Sequence, residues 1–416
     1  MFKRVPGTKD ILPEEVSYWQ EIENISRKIF SIYNFSEIRP PILEEAALFN
    51  RSLGEFTEIV QKQMFLIKNK EDTYVLRPEG TASVVRAYIE NNLHKTQGLV
   101  KFYYIGPMFR LERPQKGRLR QFHHIGAEVI GSYQPEIDIE TISLADRLLR
   151  EWGVSGYDIV MNNLGCLKDK KELMKILHDS LKGKLNNLCA DCRIRFKNNV
   201  LRILDCKNEA CQKVIKKLDI ADKHACLECK THFSAVKKGL DILRIKYQVN
   251  PYLVRGLDYY TRTVFEIKHE KLGAQDALGA GGRYDNLVKE LGGPDIGAMG
   301  FAFGVERILL VETQKPQAES RNLVYVIGLG EKAELKSLEY LQDLRREGMP
   351  ATTNLQIKSL KGAMRQANDL GARVVLIIGE DELKKNVITV KNMTSGEQKE
   401  IPPEKLLEEI KKQLLC

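Results

Sequence analysis

The 416-residue sequence has no long hydrophobic run. Its longest, LVYVIGLG (323–330) and VVLIIG (374–379), fall far short of the roughly 20 apolar residues of a membrane span. The start, MFKRVPGTKDILPEE, is basic but lacks the apolar segment of a secretory signal. These absences argue against a membrane partner and lead to the expectation of a soluble, cytoplasmic protein. Wholesale disorder is excluded as well, because 43% hydrophobic and 29% charged residues make a globular balance. In a reducing compartment the eight cysteines are not expected to form a disulfide framework, and clustered thiols point instead to metal. Net charge is missing from most of the chain. Residues 181–250 hold 16 Lys+Arg against 7 Asp+Glu, which accounts for the whole excess of +9. A basic module on a neutral body fits contact with a polyanion such as RNA, and equally a solvated surface.

At about 100–200 residues per domain, the length corresponds to two to four units. In EEVSYWQEIENISRKIFSIY (14–33), Val16, Trp19, Ile22, Ile25, Ile29 and Phe30 recur at helical spacing after a proline start signal, which predicts a helix. Pro40 and Pro41 then favour an edge strand or a turn. GLVKFYYIGPMFR (98–110) and RQFHHIGAEVIG (120–131), rich in aromatic and β-branched residues, predict an antiparallel hairpin. Its loop gathers Arg110, Arg113, Lys116, Arg118 and Arg120 against one acid, Glu112.

Residues 165–245 are rich in lysine and cysteine and helical in pattern. They read as an insertion, because strand-like sequence resumes at YLVRGLDYYTRTVFEI (252–267). Nine of the thirty glycines lie between Gly273 and Gly304, where backbone is expected to approach a ligand or another strand closely. From about residue 318 the pattern changes to strand 323–329, helices 331–346 and 357–370, strands 373–379 and 386–392, and a helix from 403. That is a separate α/β domain, with TQKPQAESRN (313–322) as the linker.

Five strings, RPEGTA (77–82), FRLERPQKGRLRQFHHIGAE (109–128), LVRGLDYYTRTVFE (253–266), GAGGRYDNLV (279–288) and GFAFGVERILL (300–310), stand in an order that resembles the histidyl-tRNA synthetases. The resemblance spans the chain, and LVRGLDYY together with GGRYDNL is its most specific part. It implies an α+β fold: a class II synthetase core on an antiparallel sheet (1–165 and 247–317), a basic helical insertion (166–246) and an α/β anticodon-binding domain (318–416). It further implies a homodimer through EIRPPILE (37–44), with Pro41 at the proline of the first class II motif. The implied activity is a histidine–tRNA ligase that forms histidyl-adenylate from histidine and ATP with Mg2+, then charges histidine tRNA. A non-catalytic histidine-sensing regulatory paralogue and a zinc-dependent RNA-binding protein with a vestigial core are the rival readings.

Such chemistry brings two anions together while charge builds on phosphate, so fixed cations are required. The resemblance puts Arg110 on the α-phosphate and the histidine carboxylate, Arg307 on the γ-phosphate, and Arg255 on the α-phosphate opposite Arg110. Planar guanidinium forks suit such oxyanions. A solitary arginine is read first as a surface ion pair; three in three matched motifs reverse that reading. Glu112 and Arg118 are matched to ATP contacts, and Arg113, Gln115 and Lys116 to the acceptor end of the tRNA. For histidine, Glu79 and Thr81 are matched to the α-amino group, Glu128 and Tyr260 to the imidazole, and Tyr259 and Tyr284 to the pocket wall. A site that pairs both ring nitrogens rejects apolar analogues without an editing domain. His124 departs from the glutamine common in the family; it keeps a donor and an acceptor and adds the capacity to become charged.

LCADCRIRF (188–196) and CLECKTHF (226–233) are two C-x-x-C units, and DCKNEAC (205–211) lies between them. Paired thiols at this spacing suit a tetrahedral Zn2+ site. The ligand set favoured is Cys189, Cys192, Cys226 and Cys229, with Cys206 and Cys211 as alternatives and His232 as a weaker candidate. Free thiols buried in helices are the plain alternative. A metal here would fold a small helical module whose own core is thin.

Overall fold

The computed structural model describes residues 2–54, 57–115, 117–273, 276–312, 322–356 and 359–415. The expected linker, apart from Asn322, lies outside these residues, as does Lys116. The chain forms two units, residues 1–315 and 316–416.

Unit one is built on an eight-stranded sheet in the order Ser36–Glu37, Val100–Phe109, Gln121–Ile130, Ala298–Gly304, Ala277–Arg283, Thr261–His269, Tyr157–Asn163, Gln248–Val249. The six inner strands are antiparallel, and each two-residue edge strand pairs parallel to its neighbour. The hairpin expected around the cation cluster is present, in register from Val100–Ile130 to Phe109–Gln121.

Strand alternation divides the sheet chemically. Ile125, Ala127, Val129, Met299, Phe301 and Phe303 are buried in one core with the helix Pro13–Ile32, which presents Trp19, Ile22, Ile29 and Phe30, and with the helix Pro135–Glu151. On the opposite face the cross-strand partners are small: Gly126 meets Tyr104 and Ala302, and Gly300 stands between Glu128 and Gly282. The glycine-rich segment therefore does bring backbone close to its neighbours. A Cβ on Gly300 would overlap the Glu128 carboxylate, and one on Gly126 the Tyr104 ring.

Apart from the two-residue edge strand Gln248–Val249, strand structure after the insertion begins at Thr261, later than the sequence pattern suggests. Residues 253–260 are held instead by Lys170, whose Nζ donates to the Asp258 and Tyr260 carbonyls at 2.5 and 3.1 Å.

The insertion carries the helices Leu167–Leu181, Ala190–Asn198 and Glu209–Ile215, and Leu173, Leu177, Val214 and Ile215 of these join a core continuous with that of the eight-stranded sheet. The helix Leu227–Ile242 belongs elsewhere: its Phe233, Val236 and Leu240 are buried in the core that holds the helix Pro135–Glu151.

Unit two has a five-stranded sheet in the order Ala351–Thr352, Val324–Gly328, Val374–Ile378, Ile388–Asn392, Gln398–Ile401. The expected helix 331–346 is Glu331–Arg346, and the later ones are Leu360–Asp369 and Leu406–Leu415. Sequence patterning misses the helix Glu380–Lys385 and the strands Ala351–Thr352 and Gln398–Ile401, which are short or largely exposed and so carry little apolar signal.

Candidate active site

A cavity of about 420 Å³ opens on the small-residue face of the sheet. Arg110, Arg255 and Arg307, from three distant segments, all line it, as do Glu112, Arg118 and His124. Its inner end is walled by Glu79, Thr81, Tyr259, Tyr260 and Tyr284. Arg113 and Gln115 are exposed at the hairpin tip, outside this lining, and Glu128 lies beneath it, fully buried.

Local structure sets each cation. Arg110 leaves the strand Val100–Phe109 and donates through Nε to the Pro78 carbonyl at 2.9 Å, its guanidinium 5.2 Å from the Phe122 ring centre. Arg118 closes a turn with Gln115 around Gly117, whose φ of +73° suits glycine. Arg307, near the start of the helix Val305–Val311, donates to the Gly117 carbonyl at 3.0 Å and so fastens the hairpin tip to the GFAFGVERILL segment. Arg255 donates to Glu266 at 2.5 Å, and its buried Nε has no hydrogen-bond partner among the described residues. Burial lowers the Arg307 pKa, and the nearby positive charges of Arg118 and Arg110 lower it further. Like charges crowded around one cavity are stabilised by a polyanion entering it.

The inner end is a hydroxyl–carboxylate network. Glu128 accepts from Thr81 at 2.7 Å and Tyr104 at 3.2 Å on Oε1, and from Tyr284 at 2.5 Å on Oε2. Burial pushes its carboxyl up to about 8, even though these hydroxyls favour the charged form. Glu79 accepts the Thr81 and Ala82 backbone N–H groups at 2.6 and 2.9 Å, at the start of the helix Thr81–Glu90. Burial pushes Tyr260 up to about 12, with Arg255 opposing. His124 does not gain charge as its chemistry allows: removal from water, then Arg110, Arg77 and Arg307, hold its pKa well below the usual 6.5.

Sequence reasoning missed Glu266, the partner of Arg255, and Tyr104, which lines the cavity and meets Glu128. Strand parity carries a signal for both, since Glu266 pairs with Ala280 and Tyr104 with Gly126 on the small-residue face. Arg195, Arg202 and Lys207 of the insertion also line the cavity, and only the tertiary fold brings them there.

The favoured zinc set needs correction. Cys189 and Cys192 converge with Cys206 and Cys211, whereas Cys226 and Cys229 form a separate group with Cys166 and Asp169. The reason lies in helix packing: the helix Ala190–Asn198 stays in the insertion, while Leu227–Ile242 packs on the core. In the first group Cys189 N donates to Cys211 Sγ at 3.2 Å, and Cys189 and Cys206 sulfurs are 3.9 Å apart. His232 is in neither group; its Nε2 meets Asp138 at 2.8 Å.

Comparison with known proteins fits this arrangement. Residues 7–308 match the histidyl-tRNA synthetase family model and residues 323–413 the anticodon binding domain. The chain is 46% identical to the histidine–tRNA ligase of Thermodesulfovibrio yellowstonii over 98% of its length and 97% of the relative's. It is 45% identical to that of Thermosipho melanesiensis over 96% of each. The apo histidyl-tRNA synthetase of S. aureus superposes with a TM-score of 0.82 at 35% identity, over 99% of this chain and 100% of that one. Full-length likeness to ligases favours the enzyme over the regulatory reading. The chain belongs to the histidyl-tRNA synthetase family.

Proposed function

We propose that this histidine–tRNA ligase runs both of its steps in the cavity that Arg110, Arg255 and Arg307 share. A histidine carboxylate oxygen attacks the α-phosphorus of Mg-ATP, the bond to the β-phosphate oxygen breaks, and pyrophosphate leaves. A terminal ribose hydroxyl of the tRNA then attacks the acyl carbon, and AMP leaves. Arg110 and Arg255 grip the α-phosphate and the carboxylate from opposite sides; Arg307 holds the γ-phosphate; Glu112 and Arg118 position ATP. Preorganised cations at developing charge are each worth about 100- to 1000-fold in rate.

Glu79 and Thr81 take the α-amino group, and Tyr260 and Glu128 read the imidazole, with Tyr259 and Tyr284 as walls. His124, neutral, gives one substrate contact. Exposed Arg113 and Gln115, with Lys116, reach the acceptor end of the tRNA, which Arg195, Arg202 and Lys207 meet from the other side. Exposed Ile42, with exposed Leu43, Leu66 and Ile67 of a three-stranded sheet (Leu43–Glu45, Asp72–Leu76, Phe65–Asn69) that follows Pro41, supports a homodimer. Zn2+ would be held by Cys189, Cys192, Cys206 and Cys211, three of them buried, a four-thiolate set of the structural kind. Among the described residues no helix is long and apolar enough to cross a membrane, which agrees with a cytoplasmic ligase.

The convergence of three guanidiniums on one cavity carries this reading. Histidine-dependent ATP–pyrophosphate exchange tests it: Arg255→Ala is expected to lose at least about 100-fold with its fold retained. A folded variant within a few-fold of wild type would overturn the assignment.

A further inference from the structure

We propose that Cys166, Asp169, Cys226 and Cys229 form a second metal site, distinct from the four-cysteine group, which takes a zinc-like divalent cation and fastens the root of the insertion to the catalytic core. Its four ligand atoms lie within 4.8 Å of one another. A tetrahedral ion with metal–sulfur bonds of about 2.3 Å requires donors about 3.8 Å apart, so small side-chain movements close the site.

The local architecture repeats. Cys189, the N-cap of the helix Ala190–Asn198, has φ −64° and ψ 165°; Cys226, the N-cap of Leu227–Ile242, has −67° and 166°. Cys166 caps Leu167–Leu181 with −73° and 179°. In each case the residue three positions on, Cys192, Cys229 or Asp169, is the second donor. An extended cap residue followed by a helical turn brings both side chains to one point, beside backbone N–H groups that favour negative charge. Cys166-x-x-Asp169 is thus the same device as the two C-x-x-C units, with a carboxylate replacing one thiolate.

The site is braced, and its second donors are buried while Cys166 and Cys226 are partly exposed. Cys229 is 1% exposed and Asp169 3%. Asn163, the last residue of a core strand, donates to the Cys229 carbonyl at 3.1 Å and accepts from Gly165 N at 3.0 Å, so one side chain fixes the approach to both donor pairs. Arg262, which donates to Glu228 at 2.5 Å, adds positive charge beside the thiolates. A divalent ion bound here displaces the thiol protons to solvent. It joins the chain where it enters the insertion to the chain where it returns to the core, closing a loop of about 60 residues. Oxidation of a cysteine pair, or thiols without metal, are the competing states.

Zinc per chain, measured by inductively coupled plasma mass spectrometry on the full-length protein purified without chelator, tests this. Two equivalents are expected in the wild type, and one each in Cys206→Ser/Cys211→Ser and Cys226→Ser/Cys229→Ser. In the former variant, Co2+ should give the visible bands of a tetrahedral thiolate centre. Asp169→Cys, which gives the site four thiols, should keep two equivalents even if the double-serine variant fails to fold. A single wild-type equivalent lost only with Cys206 and Cys211 overturns the second site and leaves the four-cysteine reading standing. A single equivalent lost only with Cys226 and Cys229 does the reverse.

Discussion

The Thr81 hydroxyl donates to Glu128 Oε1 at 2.7 Å, joining the first turn of a helix to the middle of a strand 47 residues away. Since burial raises the Glu128 carboxyl from 4.5 to about 8, the folded state keeps a proton that the unfolded chain releases between those values. Stability from this group therefore falls as pH rises through that window and levels off above it. Glu128→Gln should remove the slope. Urea midpoints of wild type and variant, taken across the window, should diverge in the variant's favour as pH rises; parallel curves would contradict the assignment.

Glu266 fixes Arg255 at 2.5 Å and also meets Lys268 at 3.3 Å. Burial pushes its carboxyl up, but Arg255 and Lys268 bring it below the ordinary value, so it is charged at neutral pH. Glu266→Gln keeps the shape and loses the charge that orients the guanidinium. The expected result is a drop of up to roughly 100-fold in kcat for pyrophosphate exchange, with little change in histidine KM or in the unfolding midpoint. A change confined to stability would show a merely structural residue.

His124, held neutral by burial and by Arg110, Arg77 and Arg307, should not titrate near pH 6.5. Its contact is then one that an uncharged amide can replace. The ratio of kcat/KM between wild type and His124→Gln is expected to stay constant across pH 5.5 to 8, about one unit or more either side of an ordinary histidine. A ratio that bends near the ordinary value would mean that the imidazole takes up a proton.

Asp138 accepts from Arg283 Nε at 2.6 Å and meets His232 at 2.8 Å, with Asp138 and Arg283 wholly out of contact with solvent. Removing one partner of a buried pair leaves a charge without its counterion. Asp138→Ala should cost about 3 kcal/mol, toward the low end for such changes because Asp285 still holds Arg283 at 2.7 Å. Chemical denaturation of the full chain measures it, and a loss below about 1 kcal/mol would show that Asp285 alone suffices.

Much of this fold is legible in one dimension. The helix Pro13–Ile32 shows its buried face in the spacing of Trp19, Ile22, Ile29 and Phe30, and the hairpin shows its ends where apolar alternation gives way to arginine. The cysteines are different. A C-x-x-C unit fixes two corners of a site on one helix end, but which two pairs meet depends on where the helices pack. Cys166 escaped notice because its companion is a carboxylate, a residue type common on any surface.

The sequence by itself determined the arginines, their motifs and the two C-x-x-C pairs, because these rest on local spacing and on residue chemistry. The tertiary structure alone decided that three of the arginines face one cavity, that Glu128 is buried under Gly300, where burial pushes its carboxyl up, and that the thiols divide into two groups. Burial, charge crowding and helix packing are sums over groups distant in the chain, and local spacing does not contain them.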